Sequence, residues 1–198
     1  MNYELERYVM PLFRHMGDER SFAGTAFCID GYLLTAGHVL NREQTYYLRN
    51  GADWHALQYD LWTPRQLPGD DKHGYDIALY PIPGLHSPLS LAQADAEPLD
   101  ELDVICWQWL TTGLRQVVTR CLVLSEHDDD GYRRISTVDR ITHGSSGCPV
   151  MRDGRVYGIV TMGRDHVDTA GMGPLKRHLE QNTCWMFKVS HIRRFLPR

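Results

Sequence analysis

Gly144-Ser145-Ser146-Gly147-Cys148-Pro149-Val150, read with Thr35-Ala36-Gly37-His38-Val39 far upstream, decides how this chain must fold. The first stretch supplies a hydroxyl in a glycine-flanked turn, and the second supplies an imidazole. Between them, Tyr75-Asp76-Ile77-Ala78-Leu79 adds a carboxylate. A serine hydroxyl is a poor nucleophile at neutral pH. It needs an imidazole to take its proton and a carboxylate to hold that imidazole in the right tautomer. His38, Asp76 and Ser146 are therefore the candidate catalytic residues. Attack on a carbonyl also creates an oxyanion, and a tight Gly-x-Ser-Gly turn can aim two main-chain N–H groups at one spot. The candidates for that oxyanion hole are Gly144 and Ser146. Glycine at 144 permits a backbone geometry that a side chain would obstruct, so substitution there is expected to cost activity more than stability.

Working outward, short apolar or alternating runs recur along the chain between Gly, Pro and Asp punctuation, the pattern of an all-β barrel or sandwich. Strands are expected at 8–13, 22–30, 32–35, 45–48, 54–59 and 76–80, with Asp30-Gly31 as a tight turn. The stretch 81–102, carrying Pro81, Pro83, Pro88 and Pro98, interrupts the rhythm and reads as a connection between two halves. A second set of strands is expected at 104–109, 115–125, 133–138, 149–152, 156–162 and 184–189. Asp128-Asp129-Asp130-Gly131 lacks the remaining ligand positions of a calcium loop and reads as a hairpin turn. Pro174 to Glu180 reads as a short helix, and the chain end at 190–197 as another, opening on the capping-type residue Ser190.

These motifs, with Gly158-Ile159-Val160-Thr161-Met162-Gly163 after them, resemble the trypsin-like serine peptidases of the chymotrypsin fold, over most of the chain from about Tyr8 to Phe195. The resemblance implies an all-β fold of two six-stranded antiparallel β-barrels with a short C-terminal helix, and the active site in the cleft between them. It implies one peptidase domain over 1–198, with an N-terminal barrel at about 1–85, a connection at about 86–101, a C-terminal barrel at about 102–189 and a helix at 190–197. It implies that His38 and Asp76 come from the first barrel and Ser146 from the second. It also implies that Thr161, Met162 and Gly163 run along the bound peptide, which would pair with them as an added strand.

Departures from the family matter as much. Its secreted digestive members pair a freed N-terminal amine with an acidic residue just before the nucleophile, where this chain has Ser145, and they begin Ile-Val-Gly-Gly. They also bracket the histidine with a disulfide. Cys28 matches its first half, but Val39 stands at the second, so Cys28 is expected to be a free, buried thiol. The chain is thus similar to bacterial intracellular or stress-type members. Cys148 prompts comparison with viral relatives that use a cysteine nucleophile, but its position leaves that role with Ser146. For the specificity pocket, Arg140 would favour an acidic side chain and the adjacent Asp139 a basic one, and the sequence leaves the two open. Thr142 and His143 are similar to the pocket residues of glutamyl endopeptidases. The stretch between Gly163 and Cys184 is expected to shape that pocket and to gate access to it.

Bulk properties bound the function. At 198 residues and 42% hydrophobic content the chain can bury a sizeable core. A formal charge of −4 gives no field that would draw nucleic acid or an anionic membrane. No apolar run approaches the roughly 20 residues that span a bilayer, and the first residues lack a secretory signal, so a cytoplasmic location is expected. Five cysteines at irregular spacings, without a Cys-x-x-Cys pair, read as reduced thiols. The ten histidines are scattered, so no metal or other cofactor is expected. The reading is a serine endopeptidase acting on a protein or peptide substrate, narrow in specificity or gated by a regulatory protein partner or signal. The alternative is a non-catalytic or partner-activated protease-fold binding module in a bacterial stress or defence pathway.

Overall fold

The structure is a computed structural model that describes residues 5–16, 19–41, 43–50, 53–64, 76–124, 131–142, 144–163, 173–174 and 181–196. Seven strands build a first sheet: β1 (Val9–Met16), β2 (Glu19–Ile29), β3 (Tyr32–Thr35), β4 (Tyr46–Asn50), β5 (Asp53–Leu57), β6 (Thr63–Pro64) and β7 (Ala78–Pro81). Their spatial order is β5-β4-β1-β2-β3-β7-β6. The second sheet holds β8 (Ser90–Leu91), β9 (Glu101–Leu110), β10 (Gly113–Val123), β11 (Tyr132–Thr137), β12 (Pro149–Arg152), β13 (Arg155–Gly163) and β14 (Thr183–Lys188). There the order is β12-β9-β10-β11-β14-β13-β8, and an added β12–β13 pairing closes six strands into a barrel. Every pairing is antiparallel except that of β8 with β13. The first sheet stays open among the described residues, because β5 and β6 at its two ends do not pair.

The apolar runs of the first half alternate between two destinations. On β1, β2, β3 and β7, Met10, Leu12, Ala26, Cys28, Leu33, Ala78 and Tyr80 point into the first sheet's own core with Tyr46, Leu57 and Trp62. Their neighbours Val9, Phe27, Ile29, Leu34 and Leu79 face the other way. They meet Ile105, Met151, Val156, Ile159 and Phe187 from the second sheet. Strands buried on both faces need apolar residues at successive positions, which is why Ala26 to Ile29 and Tyr32 to Leu34 read as continuous apolar runs. A third cluster fills the closed barrel and includes Leu102, Val104, Val123, Ile135, Val150 and Met186. The two sheets thus share an apolar seam of fully or nearly fully buried side chains, each stabilising the docked arrangement by about 1.5–3 kcal/mol relative to exposure.

Three details differ from expectation. β6 and β8 are two-residue strands lying outside the expected set. The C-terminal helix α1 spans only Val189–Ile192, continued by turns through Phe195. Its N-cap is Lys188, which makes no side-chain capping bond. Ser190 lies inside the helix, where its N–H and hydroxyl both donate to Asp95. The Asp30-Gly31 turn forms as expected, with both residues at positive φ. Asp128 to Asp130 and the stretch 175–180 fall outside the described residues, so the hairpin and helix expected there do too.

Candidate active site

β3 ends at Thr35, and the chain turns through one 3₁₀ turn at Gly37–Val39 that presents His38 at the edge of the seam. Asp76 arrives just before β7. One of its carboxylate oxygens accepts the His38 main-chain N–H at 2.7 Å, and the other lies 2.5 Å from His38 Nδ1. From the second sheet, Ser146 Oγ stands 2.9 Å from His38 Nε2. Three side chains from positions 38, 76 and 146 therefore form one continuous hydrogen-bonded chain. Its geometry fits the tautomer with Nδ1–H donating to Asp76 and Nε2 accepting from the serine hydroxyl.

Asp76 is itself tied across the seam, because its main-chain N–H donates to the Tyr132 hydroxyl at 3.0 Å. The Tyr132 ring packs on Phe187 with centroids 5.2 Å apart. Burial alone would lower the His38 pKa, but the hydrogen bond and the charge of Asp76 outweigh it and raise the value above the ordinary 6.5. The His38 side chain keeps 44% of its surface exposed, so a substrate can reach it, while Asp76 keeps 16%.

The loop bearing Ser146 is held from beneath by β2. The Thr25 N–H donates to Ser146 O at 3.0 Å, and the Thr25 hydroxyl donates to Gly144 O at 2.8 Å. That same hydroxyl accepts the main-chain N–H of Trp107 on β9 at 3.0 Å. Gly147 donates to Val160 O, Cys148 to Ser145 O, and Ser145 to Thr142 O. Among the described residues no hydrogen-bond acceptor is found for the main-chain N–H groups of Gly144 and Ser146. Gly144 has φ +99°, and a Cβ there would stand 2.0 Å from the Phe22 ring. At Gly147, with φ +86°, a Cβ would stand 2.2 Å from both Thr25 O and Thr35 Oγ1. Both positions accept glycine only.

The remaining sequence candidates fall in different places. Thr161, Met162 and Gly163 end β13, whose pairing with β12 stops at Ile159 while that with β14 runs on to Gly163. Opposite β14, the edge of Thr161–Gly163 has no strand partner among the described residues, as a binding edge for an extended peptide requires. The buried Thr161 hydroxyl has no partner among them either. Thr142 is exposed, and its hydroxyl reaches Gln108 at 3.4 Å. Arg140 is exposed after β11, and no hydrogen bond among the described residues links it to the His38 cluster. Asp139 is exposed and exchanges two hydrogen bonds with the buried Thr119 of β10. His143 lies outside the described residues, as does the expected gating stretch between Gly163 and Cys184 apart from 173–174 and 181–183.

All five cysteines are buried and free. Burial pushes the Cys28 and Cys121 thiols up to about 12, and that of Cys148 upward too. Cys148 sits in the barrel core with no exposed surface, consistent with Ser146 as the nucleophile. No group of metal-ligating side chains occurs among the described residues, and no described helix is long and apolar enough to cross a membrane. Sequence reasoning missed Thr25, Phe22 and Tyr132. The signal for Thr25 was a hydroxyl flanked by Gly24 and Ala26 inside an apolar strand.

No protein-family model matches the chain, and no curated protein matches it. Solved structures do. The active form of the Rv3671c protease from M. tuberculosis aligns over 95% of this chain and 78% of its own, with TM-score 0.63 and 18% identity. Neuropsin, a serine protease of mouse brain, aligns over 98% and 96%, with TM-score 0.68 and 16% identity. Human heparin binding protein aligns over 98% and 92%, with TM-score 0.66 and 15% identity. One sheet closed into a six-stranded barrel, a second left half open, an apolar seam between them and one short terminal helix make this the chymotrypsin-like fold, and the proteins it resembles include trypsin-like serine proteases.

Proposed function

We propose that this protein is a serine endopeptidase that cleaves a protein or peptide substrate through an acyl-enzyme on Ser146. The observation that carries the reading is the unbroken hydrogen-bonded chain from Asp76 through His38 to Ser146. In the first step Ser146 Oγ bonds to the scissile carbonyl carbon while His38 Nε2 takes the hydroxyl proton. The carbonyl oxygen becomes an oxyanion, received by the N–H groups of Gly144 and Ser146. Nε2–H then protonates the departing amine, the C–N bond breaks, and an acyl ester remains on Ser146. Water attacks that ester by the same route with His38 again as base, and the acid leaves. Asp76 keeps the imidazole oriented and stabilises its charged form. The substrate lies along Thr161, Met162 and Gly163, a role supported by their unpaired strand edge. Thr142, Arg140 and His143 are the candidate pocket residues.

The two lobes, at about 1–85 and 102–189, form one peptidase domain joined by the connection. A cytoplasmic site of action is supported by five thiols with no disulfide among them. Selectivity or gating by a partner or signal is expected of a peptidase in that compartment.

The test is covalent labelling by a fluorophosphonate probe. The native chain should label, and Ser146→Ala should fold with the same circular dichroism spectrum and not label. Equal labelling of Ser146→Ala would overturn the assignment. A native chain that never labels, alone or with cell extract, would favour the binding-module reading.

A further inference from the structure

A second concavity of about 1100 Å³ shares no residue with the His38–Asp76–Ser146 cluster. It opens where β1, β4 and β5 of the first sheet face the start of the connection and the β9–β10 hairpin of the second. Its charge is one-sided. Arg7, Arg49 and Arg115 and the imidazoles of His55 and His86 line it, all exposed, and none of the described residues lining it is Asp or Glu. The whole chain carries 25 acidic against 21 basic residues, so a large concavity with no carboxylate among its described lining residues runs against the composition.

Between the cations the surface is apolar, with Met10, Leu57, Leu85 and Leu114 contributing. Trp107 forms part of the wall, and its indole N–H is already bonded to Val9 O at 2.9 Å, so the ring offers mainly apolar surface. The wall is pre-formed, since Gln116 braces the same carbonyl at 3.1 Å.

We propose that this groove binds an acidic, apolar-containing peptide segment of a partner protein. Three features favour that occupant. The volume exceeds the roughly 300–1,000 Å³ that accepts drug-sized ligands, leaving room for several residues. Arg7, Arg49 and Arg115 come from three different elements with apolar surface between them, which suits carboxylates alternating with apolar side chains. A sulfated polysaccharide or a nucleic-acid backbone would instead need a continuous cationic track. Arginine at such a site can grip a carboxylate through two parallel hydrogen bonds.

The proposal does not depend on peptidase chemistry, and its test is built to keep the two apart. A fluorescein-labelled twelve-residue peptide alternating Glu or Asp with Leu or Phe is titrated by fluorescence anisotropy into the Ser146→Ala protein, which leaves the probe intact. Saturable binding is expected, weakened at least tenfold when Arg7→Ala and Arg115→Ala are added, and absent for the same peptide with Lys in place of the acids. Fluorophosphonate labelling of the otherwise native Arg7→Ala/Arg115→Ala protein should match the native rate. No saturable binding, binding unmoved by the two substitutions, or tighter binding of a sulfated polysaccharide or single-stranded DNA would each overturn the proposal.

Discussion

Replacing Gly144 with alanine tests the nucleophile loop at its most constrained point. Two costs arise. The residue sits at φ +99°, where a non-glycine residue is strained by about 1–3 kcal/mol. The added methyl would also lie 2.0 Å from Phe22 Cε1 and 2.6 Å from Cζ, so the ring must swing aside. Phe22 packs edge-on against Phe13 with centroids 5.9 Å apart, and such a ring contact contributes about 0.5–1.5 kcal/mol. Together the substitution should destabilise the fold by about 2–4 kcal/mol, more than the sequence alone suggested. In a chain of this size that lowers the melting temperature by about 5–15 °C. A displaced Gly144 N–H would remove one of the two proposed oxyanion donors, an expected loss of about 100- to 1,000-fold in rate. Differential scanning calorimetry reads the first effect and the fluorophosphonate labelling rate the second. Adding Phe22→Ala to Gly144→Ala should recover part of the labelling rate, since the steric conflict goes while the φ strain stays. Native melting temperature and native labelling rate in Gly144→Ala would refute the account.

Further outcomes follow from the same geometry. Because Asp76 holds the His38 pKa above 6.5, and neutral imidazole is the active form, the labelling rate should fall on the acid side with a midpoint above pH 6.5. A midpoint below that value would contradict the Asp76–His38 pairing. The linked stability has the opposite sense: the increment from charged His38 is fully present below the unfolded pKa and is lost as pH rises through the folded one. Thr25→Val removes a fully buried hydroxyl that serves both Gly144 O and the Trp107 N–H. Leaving both groups unpaired should cost about 2–4 kcal/mol and slow labelling, and a calorimetric loss under about 0.5 kcal/mol would show that neither bond matters.

Much of the fold was legible because its strands are apolar on both faces. Tyr32 to Thr35 and Pro149 to Arg152 were read to the residue, and the other long strands within a few residues of their ends. The strands that escaped notice are short and depend on distant partners. Ser90–Leu91 follows Pro88 and becomes a strand only by lying against Arg155 and Val156. In the site, His38, Asp76 and Ser146 were legible because their chemistry is local to short motifs, and the structure brings all three together. Thr25 and Tyr132 were not. A hydroxyl that bridges positions 25, 107 and 144 leaves no pattern along the chain, and neither does a phenol on β11 that caps the amide of Asp76.

Thr25 has one last implication. His38 and Asp76 ride on the half-open sheet and Ser146 on the closed one, and this one residue, through its main-chain N–H and its hydroxyl, fastens the turn bearing Ser146 to the strand two places before His38. Alignment of the reacting groups is therefore inseparable from the docking of the two lobes. Loosening that bolt would part Ser146 from His38 and so break the hydrogen-bonded chain that joins the two sheets.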